Sequence, residues 1–401
     1  MKLFKIIFIN LLLVIALIVA FDVVAYKYLP DSLTKNLPYY RCNECVKATK
    51  IKGRGGYPYD YFEENARRGF DIAPGQRKQI HVVQGHAYPI WSNELGCFDR
   101  EQNPKAPYIY VAGDSHTWGY TPYRLKFATL LEGKANVDVL KCGVTHTGQK
   151  HQLDKLQDLA GQIGINPTLT FIGYFPNDIQ NDLAHPHSTV AYGWQVNTVN
   201  LKREDDGRFV REPSDVEGFK ERYKKVVGSE EDRLKLLDYL YYKPVSFGSR
   251  YSVTYNIFKR LTEDKPQAPD PSQTQFSIYS APILDDGDQV YYKDNPNADE
   301  NKAALEAFKA YTDQISSNLV VVLIPRMDQW QNTAYFAQVK DFLREKDIDF
   351  IDMSEVFAKQ TQYPHQEVYW LADGHIREAG NAFVAQAMQD WMAKNRLDLL
   401  K

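Results

Sequence analysis

Leu319-Val320-Val321-Val322-Leu323-Ile324 is an unbroken apolar hexapeptide closed by Pro325. A run this short, uniformly apolar and rich in β-branched residues predicts a strand buried on both faces. Such strands belong to parallel sheets covered by helices on either side. The same signal recurs at 108–112, 137–140, 169–173 and 348–351. Apolar residues at helical spacing mark 149–163, 335–346 and 376–394 between and after these strands. Alternation of this kind predicts an α/β architecture, a doubly wound, flavodoxin-like parallel sheet with helices on both faces.

The first 30 residues stand apart. Lys2 and Lys5 precede a nearly continuous apolar run, 6–25, in which only Asn10 and Asp22 are polar. About 20 such residues in a helix cross the ~30 Å hydrocarbon core of a bilayer. The two lysines predict an N-terminus kept inside, and therefore a chain whose remainder lies outside the cytoplasm. Val23-Val24-Ala25 also fits a small-residue cleavage site, so a removed signal peptide is the competing expectation. The length of the run favours a retained anchor, and both readings make the rest extracytoplasmic.

Residues 31–105 carry many turn formers, among them Gly53, Gly55, Gly56, Pro58, Gly69, Pro74, Gly75 and Pro89, and are expected to form an extension packed on the core. The remaining span, 106–401, is expected to be one domain interrupted by an insertion at about 183–300. There the strand–helix rhythm is lost, and Pro266, Pro269 and Pro271 mark a stretch that is neither helix nor central strand. Helix-like pieces at 215–227 and 231–242 predict a helical insertion. It is placed over the C-terminal edge of the sheet, as a lid, an acceptor-binding surface or a plain decoration. Four cysteines, Cys42, Cys45, Cys97 and Cys142, allow two disulfides in three pairings, each of structural use only. A zinc site at Cys42-x-x-Cys45 lacks its second half. The formal charge of -3, from 48 basic and 51 acidic residues, gives no basic excess for nucleic acid. The 27 tyrosines and 20 phenylalanines suit carbohydrate-facing surfaces or bulky core packing.

Chemistry concentrates at strand ends. Gly113-Asp114-Ser115-His116-Thr117 follows the first predicted strand, on the turn where an open α/β sheet binds ligands. A serine hydroxyl needs a base to become a nucleophile, and the base needs a carboxylate to orient it. Asp373-Gly374-His375, in the loop before the last helix, supplies both. A tetrahedral intermediate also needs oxyanion donors. The backbone N–H groups of Ser115 and Gly143 and the side chain of Asn177 each follow a strand and are candidates. Asp114 and Asp178 are read as loop braces, and His116 as a polar turn residue in preference to one lining the pocket. No pair among His146, His151, His185 and His187 has metal-ligand spacing, and no dinucleotide or phosphate fingerprint is present; neither cofactor nor metal is expected.

Together these blocks resemble the SGNH, or GDSL-type, hydrolase superfamily, from about Tyr108 to the C-terminus without the insertion. The resemblance implies Ser115 as nucleophile, Gly143 and Asn177 with the Ser115 amide as oxyanion hole, and Asp373 and His375 as acid and base. Two positions depart from the usual pattern. Phe175 stands where a glycine usually precedes the asparagine by two, and a single residue separates Asp373 from His375. Membrane-anchored SGNH-like proteins with an N-terminal extension look similar and often use this compact spacing. The implied activity is a serine esterase or deacetylase acting on an extracytoplasmic ester, a small molecule or an acylated glycan. The alternatives are an O-acyltransferase modifying an envelope polysaccharide and a non-catalytic envelope binding protein.

Overall fold

The computed structural model describes residues 2–34, 37, 39–41, 60–76, 78–83, 86–191, 194–221, 243–263, 289–360, 362–363, 365–371 and 374–401. Its centre is a five-stranded parallel sheet of β1 (Tyr108–Gly113), β2 (Asp138–Lys141), β3 (Leu169–Tyr174), β4 (Asn318–Leu323) and β5 (Asp349–Asp352), in the order β5-β4-β3-β1-β2. This is the flavodoxin-like order, and it reverses between β1 and β3. Among the described residues the longer helices are α1 (Lys2–Tyr28), α2 (Phe127–Glu132), α3 (Gln149–Ile163), α4 (Asp178–Ala184), α5 (Lys243–Tyr251), α6 (Val253–Glu263), α7 (Asp299–Gln314), α8 (Ala337–Glu345) and α9 (Glu378–Asn395).

The period of two along each strand sorts the core into two layers. Tyr108, Tyr110 and Ala112 of β1 face α3, α7 and α8 together with Ile172, Tyr174, Val321 and Leu323. Ile109 and Val111 face α2 and α9 with Leu169, Phe171, Val320 and Val322. α3 occupies the span read from its spacing, presenting Leu153, Leu156, Leu159 and Ala160 to the sheet. It ends at Gly164, whose left-handed backbone (φ 75) lets its N–H donate to the Ala160 carbonyl.

The extension forms hairpins rather than open loop. Phe62–Asn65 pairs with Gly69–Ile72, and Gln79–Val83 with His86–Ile90. Tyr61, Phe62, Phe70, Tyr88 and Phe98 form an aromatic cluster with Trp118 and Trp370 of the central domain. Cys97 is disulfide-bonded to Cys142 at the end of β2, with Cα atoms 4.7 Å apart. Cys42, Cys45 and residues 51–59 lie outside the described residues.

The insertion is helical only in part: the chain is helical at 216–221, within the helix read at 215–227, and again in α5 and α6, but strands are present as well. Its described part opens with two antiparallel hairpins, Ser188–Ala191 with Trp194–Asn197 and Val199–Arg203 with Phe209–Pro213. Leu201 and Phe209 of the second hairpin pack against the core, and Gly207 (φ 84) supplies its turn. The tertiary contact outweighs the charged, helix-like composition. α5 and α6 follow, while 222–242 and 264–288 lie outside the described residues, including the helix read at 231–242.

Between α3, α4 and α7 lies a buried polar cluster. Asp182 accepts from the Lys150 N–H (2.9 Å) and from Asn301 Nδ2 (2.7 Å), and the Tyr292 hydroxyl donates to Asn301 Oδ1 (2.9 Å). Burial pushes the Asp182 carboxyl up to about 6, against the pull of those hydrogen bonds. A folded-state value above the unfolded one means that this group favours folding while protonated. Its contribution is lost as the pH rises from about 4 to about 6. An Asp182→Asn variant keeps one of the two acceptor oxygens and removes the charge. Its unfolding free energy should lack a fall on the order of 3 kcal/mol that the parent shows across that interval. Denaturant melts at several pH values test this, and parallel profiles would contradict it.

Candidate active site

β1 ends at Gly113 (φ 148), and the chain turns at once into the one-turn helix Ser115–Trp118. Asp114 caps that helix, its side chain accepting from the His116 N–H at 2.8 Å. Three glycines at the ends of three neighbouring strands make room for the turn. A Cβ on Gly113 would lie 1.9 Å from Thr117 Oγ1, one on Gly173 2.2 Å from the same atom, and one on Gly143 2.4 Å from the Trp118 nitrogen. The turn therefore sits directly on backbone, with the Thr117 side chain filling the hollow.

Ser115 Oγ and His375 Nε2 are 2.7 Å apart, across 260 residues of sequence. His375 is held by its own loop. Gly374 N–H donates to the Trp370 carbonyl and Trp370 N–H to the His375 carbonyl, both at 2.8 Å, and Gly374 takes the left-handed conformation (φ 75). Tyr369 bridges Ile376, and α9 begins two residues later. The ring stacks on Tyr120, with centroids 4.0 Å apart and planes at 25°, and lies 4.7 Å from the His116 ring. A hydroxyl and an imidazole in this geometry can pass a proton from Oγ to Nε2 when the ring is neutral with that nitrogen free. Asp373, read as the orienting carboxylate, lies outside the described residues.

Gly143 and Asn177 border the same turn. Cys142 and Val144 donate their N–H groups to β1, at Val111 and Gly113 (both 2.9 Å). The intervening Gly143 N–H is thereby turned away from β1. Asn177 is half-buried at the start of α4, and its side chain hydrogen-bonds Asp114.

Asp114 lies behind the serine, its Oδ2 3.4 Å from Ser115 Oγ. Burial pushes its carboxyl up to about 6, while hydrogen bonds from His116, Ser115 and Asn177 and the nearby His375 pull it down. Asp178 is raised further, by burial and then by the neighbouring Asp114 charge. Gln149 Nε2 donates to it at 2.6 Å. Two buried carboxyls this close do not ionise together. The upward push is the stronger on Asp178, where burial and the Asp114 charge act in the same direction.

Reading the sequence as a list of polar positions missed the walls of the site. His116 is not a solvated turn residue. It is buried, stacks on Phe175 with centroids 4.0 Å apart, and burial together with the adjacent His375 holds its pKa well below the usual range. Phe175, where the resembled family usually has glycine, supplies that stacking surface. His146, with φ 58, also lies beside His375 and is pushed down to about 4 by burial. Tyr120 carried no motif signal beyond standing five residues after Ser115. His151 serves the fold, its Nε2 meeting the Phe70 carbonyl of the extension at 2.8 Å. Among the described residues no group of His, Cys, Asp or Glu side chains is arranged to hold a metal ion.

No protein-family model matches the chain, and no curated protein matches it either. Among solved structures it is similar to an alpha/beta hydrolase from the metagenome of Lake Arreo, Spain, at 9% identity over 72% of this chain and 96% of that one, with a TM-score of 0.36. An acetylxylan esterase from Geobacillus stearothermophilus aligns at 11% identity over 72% of this chain and 94% of its own, with a TM-score of 0.35. A two-domain esterase active on acetylated mannans aligns at 13% identity over 72% of this chain and 49% of its own, with a TM-score of 0.34. Likenesses this distant carry no residue roles or substrates across.

Gly143→Ala tests the close approach. The added methyl meets the Thr117–Trp118 backbone, which has no flexible end to yield. Overpacking of this kind costs about 1–3 kcal/mol. It should also shift Ser115 away from His375 and slow labelling by a serine-directed fluorophosphonate. Unchanged melting and labelling would contradict the packing described.

Proposed function

We propose that the chain is a serine-dependent esterase of the SGNH type, acting on a short acyl ester outside the cytoplasm. The observation that carries this reading is the 2.7 Å approach of Ser115 Oγ to His375 Nε2, at the edge where the strand order reverses. In this mechanism His375 takes the hydroxyl proton as Ser115 Oγ attacks the ester carbonyl carbon. The oxyanion is received by the N–H groups of Ser115 and Gly143 and by the Asn177 side chain. Collapse of the tetrahedral intermediate breaks the bond to the alcohol, which leaves with the proton from His375 and gives an acyl-serine. Water, deprotonated by His375, then releases the acid. Asp373 is proposed to orient the imidazole, with the Asp114 carboxyl behind Ser115 bracing the turn.

Burial supports a short acyl group. Ser115 is 6% exposed, and the half-buried Tyr120, Phe175 and His146 stand around it. A glycan hydroxyl in place of water makes the same acyl-serine the intermediate of an O-acyltransferase, the alternative reading. A non-catalytic binding role is a third; the hydrogen-bonded Ser115–His375 pair counts against it. α1, whose stretch Phe4–Tyr28 is long and apolar enough to cross a membrane, supports a membrane-anchored chain with its catalytic domain outside. We assign it neither a cofactor nor a nucleic-acid partner.

Purified full-length protein in detergent should hydrolyse p-nitrophenyl acetate and discriminate strongly against p-nitrophenyl octanoate. Ser115→Ala and His375→Ala should each reduce turnover to background, and Asn177→Ala should lower kcat by about 10²–10³. An acyl adduct on the intact protein should be missing from Ser115→Ala. If an acetylated oligosaccharide forms faster than acetate is released when a glycan acceptor is added, the transferase reading replaces the esterase. Equal background rates in all variants, without an adduct, would sink both.

A further inference from the structure

α6 presents apolar side chains to solvent in a stripe. Ile257, Phe258 and Leu261 are 48%, 62% and 74% exposed, at the spacing that puts them on one helix face, and Phe247 of the preceding helix α5, which contacts α6, is 66% exposed. Soluble surfaces rarely leave such a cluster uncovered. The first turn of α6 is buried: Val253 packs with Ala25 of α1 and with Tyr40, and Asn256 donates to the Ser249 and Ser252 carbonyls at 2.7 and 2.8 Å.

The position of this stripe along α1 is set by hydrogen bonds. Asp22 Oδ1 accepts from both the N–H and the hydroxyl of Thr254, each at 3.0 Å, and its Oδ2 accepts from Ser252 Oγ. Ser252 in turn caps α6, its hydroxyl accepting from the Tyr255 N–H at 2.8 Å. Arg41 donates to the carbonyls of Ala25 (2.9 Å) and Leu29 (2.8 Å), and the Tyr26 and Tyr251 rings meet with centroids 5.3 Å apart. From Phe4 to Asp22 a helix rises about 27 Å, close to the ~30 Å of a bilayer core. Asp22 thus stands at the outer boundary of that core, where a carboxylate needs partners, and Ser252 and Thr254 provide them. Tyr26, Lys27 and Tyr28 follow at the depth where aromatic and basic anchors gather.

We propose that α6, with Phe247 of α5, lies in the outer headgroup–acyl boundary of the bilayer that α1 crosses, its apolar stripe covered by lipid. This inference rests on the reading of α1 as a membrane span. It accounts for both features with one occupant: the exposed stripe adjoins the span and sits at the depth where lipid begins. It also favours a retained anchor over a cleaved signal, because cleavage after Ala25 removes the Asp22 that caps α6. α5 packs on strand His86–Ile90, whose Tyr88 belongs to the aromatic cluster around Trp118. The C-terminal edge of the sheet, with Ser115, is therefore on the membrane-facing side of the domain.

The test places photoreactive p-benzoylphenylalanine singly at positions 12, 258, 261 and 397 of the full chain in phosphatidylcholine–phosphatidylglycerol nanodiscs. Position 12 reports the span itself. Leu397, exposed beside Arg396 where the latter meets the Thr168 carbonyl and Asn318, is the control at the opposite edge of the sheet. Fluorophosphonate labelling of Ser115 verifies that each variant is folded. Irradiation should give phospholipid adducts at 258 and 261 in yields of the same order as at 12, with none at 397. Adducts at 12 but not at 258 or 261 would leave the span standing and overturn the inference. Chain-to-chain crosslinks at 258 or 261 would also overturn it, assigning this face to a second copy. Absence of lipid adducts at all four positions would overturn the span and the inference together.

Discussion

Everything at the centre of this molecule depends on how closely one turn of backbone approaches three strand ends. Gly113, Gly143 and Gly173 come from β1, from the residue pair after β2, and from β3, which are adjacent in the sheet. Their missing Cβ atoms leave a hollow that Thr117 fills. The short helix carrying Ser115 is thus placed by its backbone lying against Gly143 and by the Thr117 side chain seated on Gly113 and Gly173. A hydroxyl positioned this way stays put while its partner, His375, is delivered from a loop whose own shape is set by backbone hydrogen bonds and by Gly374. Holding a site on rigid elements is what keeps a hydroxyl–imidazole contact within proton-transfer distance.

The extension acts on that same turn from outside. The Trp118 indole N–H donates to the Tyr61 hydroxyl at 3.0 Å, and the Trp370 indole N–H donates to the Tyr120 carbonyl at 2.9 Å. Lys126, fully enclosed, donates to the Gly119 carbonyl at 2.7 Å and to that of Trp118, with its ammonium 3.7 Å from the Phe98 ring centroid. Burial drives its pKa far below the ordinary lysine range. Asp99 ties the extension to β2 by accepting from the Lys141 N–H at 3.1 Å and from the Tyr123 hydroxyl at 2.6 Å. The Cys97–Cys142 bond fastens the same two segments one residue from Gly143. An N-terminal segment that looks like irregular loop in composition is therefore a brace for the site.

Much of the fold was legible because its signals are local. The buried strands advertise themselves as apolar runs, and α3 begins and ends where its spacing and flanking glycines place it. Ser115 and His375 were legible as motif residues, since each stands in a short glycine-bearing turn after or before a regular element. The hairpins of the insertion were not, because their pairing and their two core-facing residues, Leu201 and Phe209, are tertiary matters that charge and tyrosine content obscure. His116 was misread for a related reason. A histidine beside a serine in a turn is ordinarily solvated, and only the neighbouring Phe175 and His375 rings make a dry place for it.

By itself, the sequence determined the class of sheet, three of the helices that cover it (α3, α8 and α9), the apolar N-terminal segment and the residue types available at the sheet's C-terminal edge. These follow from hydrophobic period and turn chemistry, which act over a few residues. Tertiary structure alone decided the rest. It set the strand order that brings β1 beside β3, bonded Cys97 to Cys142, buried Asp114 and Asp178 within each other's field, and closed the distance between Ser115 and His375. It also placed Asp22 against Ser252 and Thr254. Each of these joins groups tens to hundreds of residues apart. Their contact energy exists only once the two covered faces of the sheet have brought those groups together, so no local pattern encodes it.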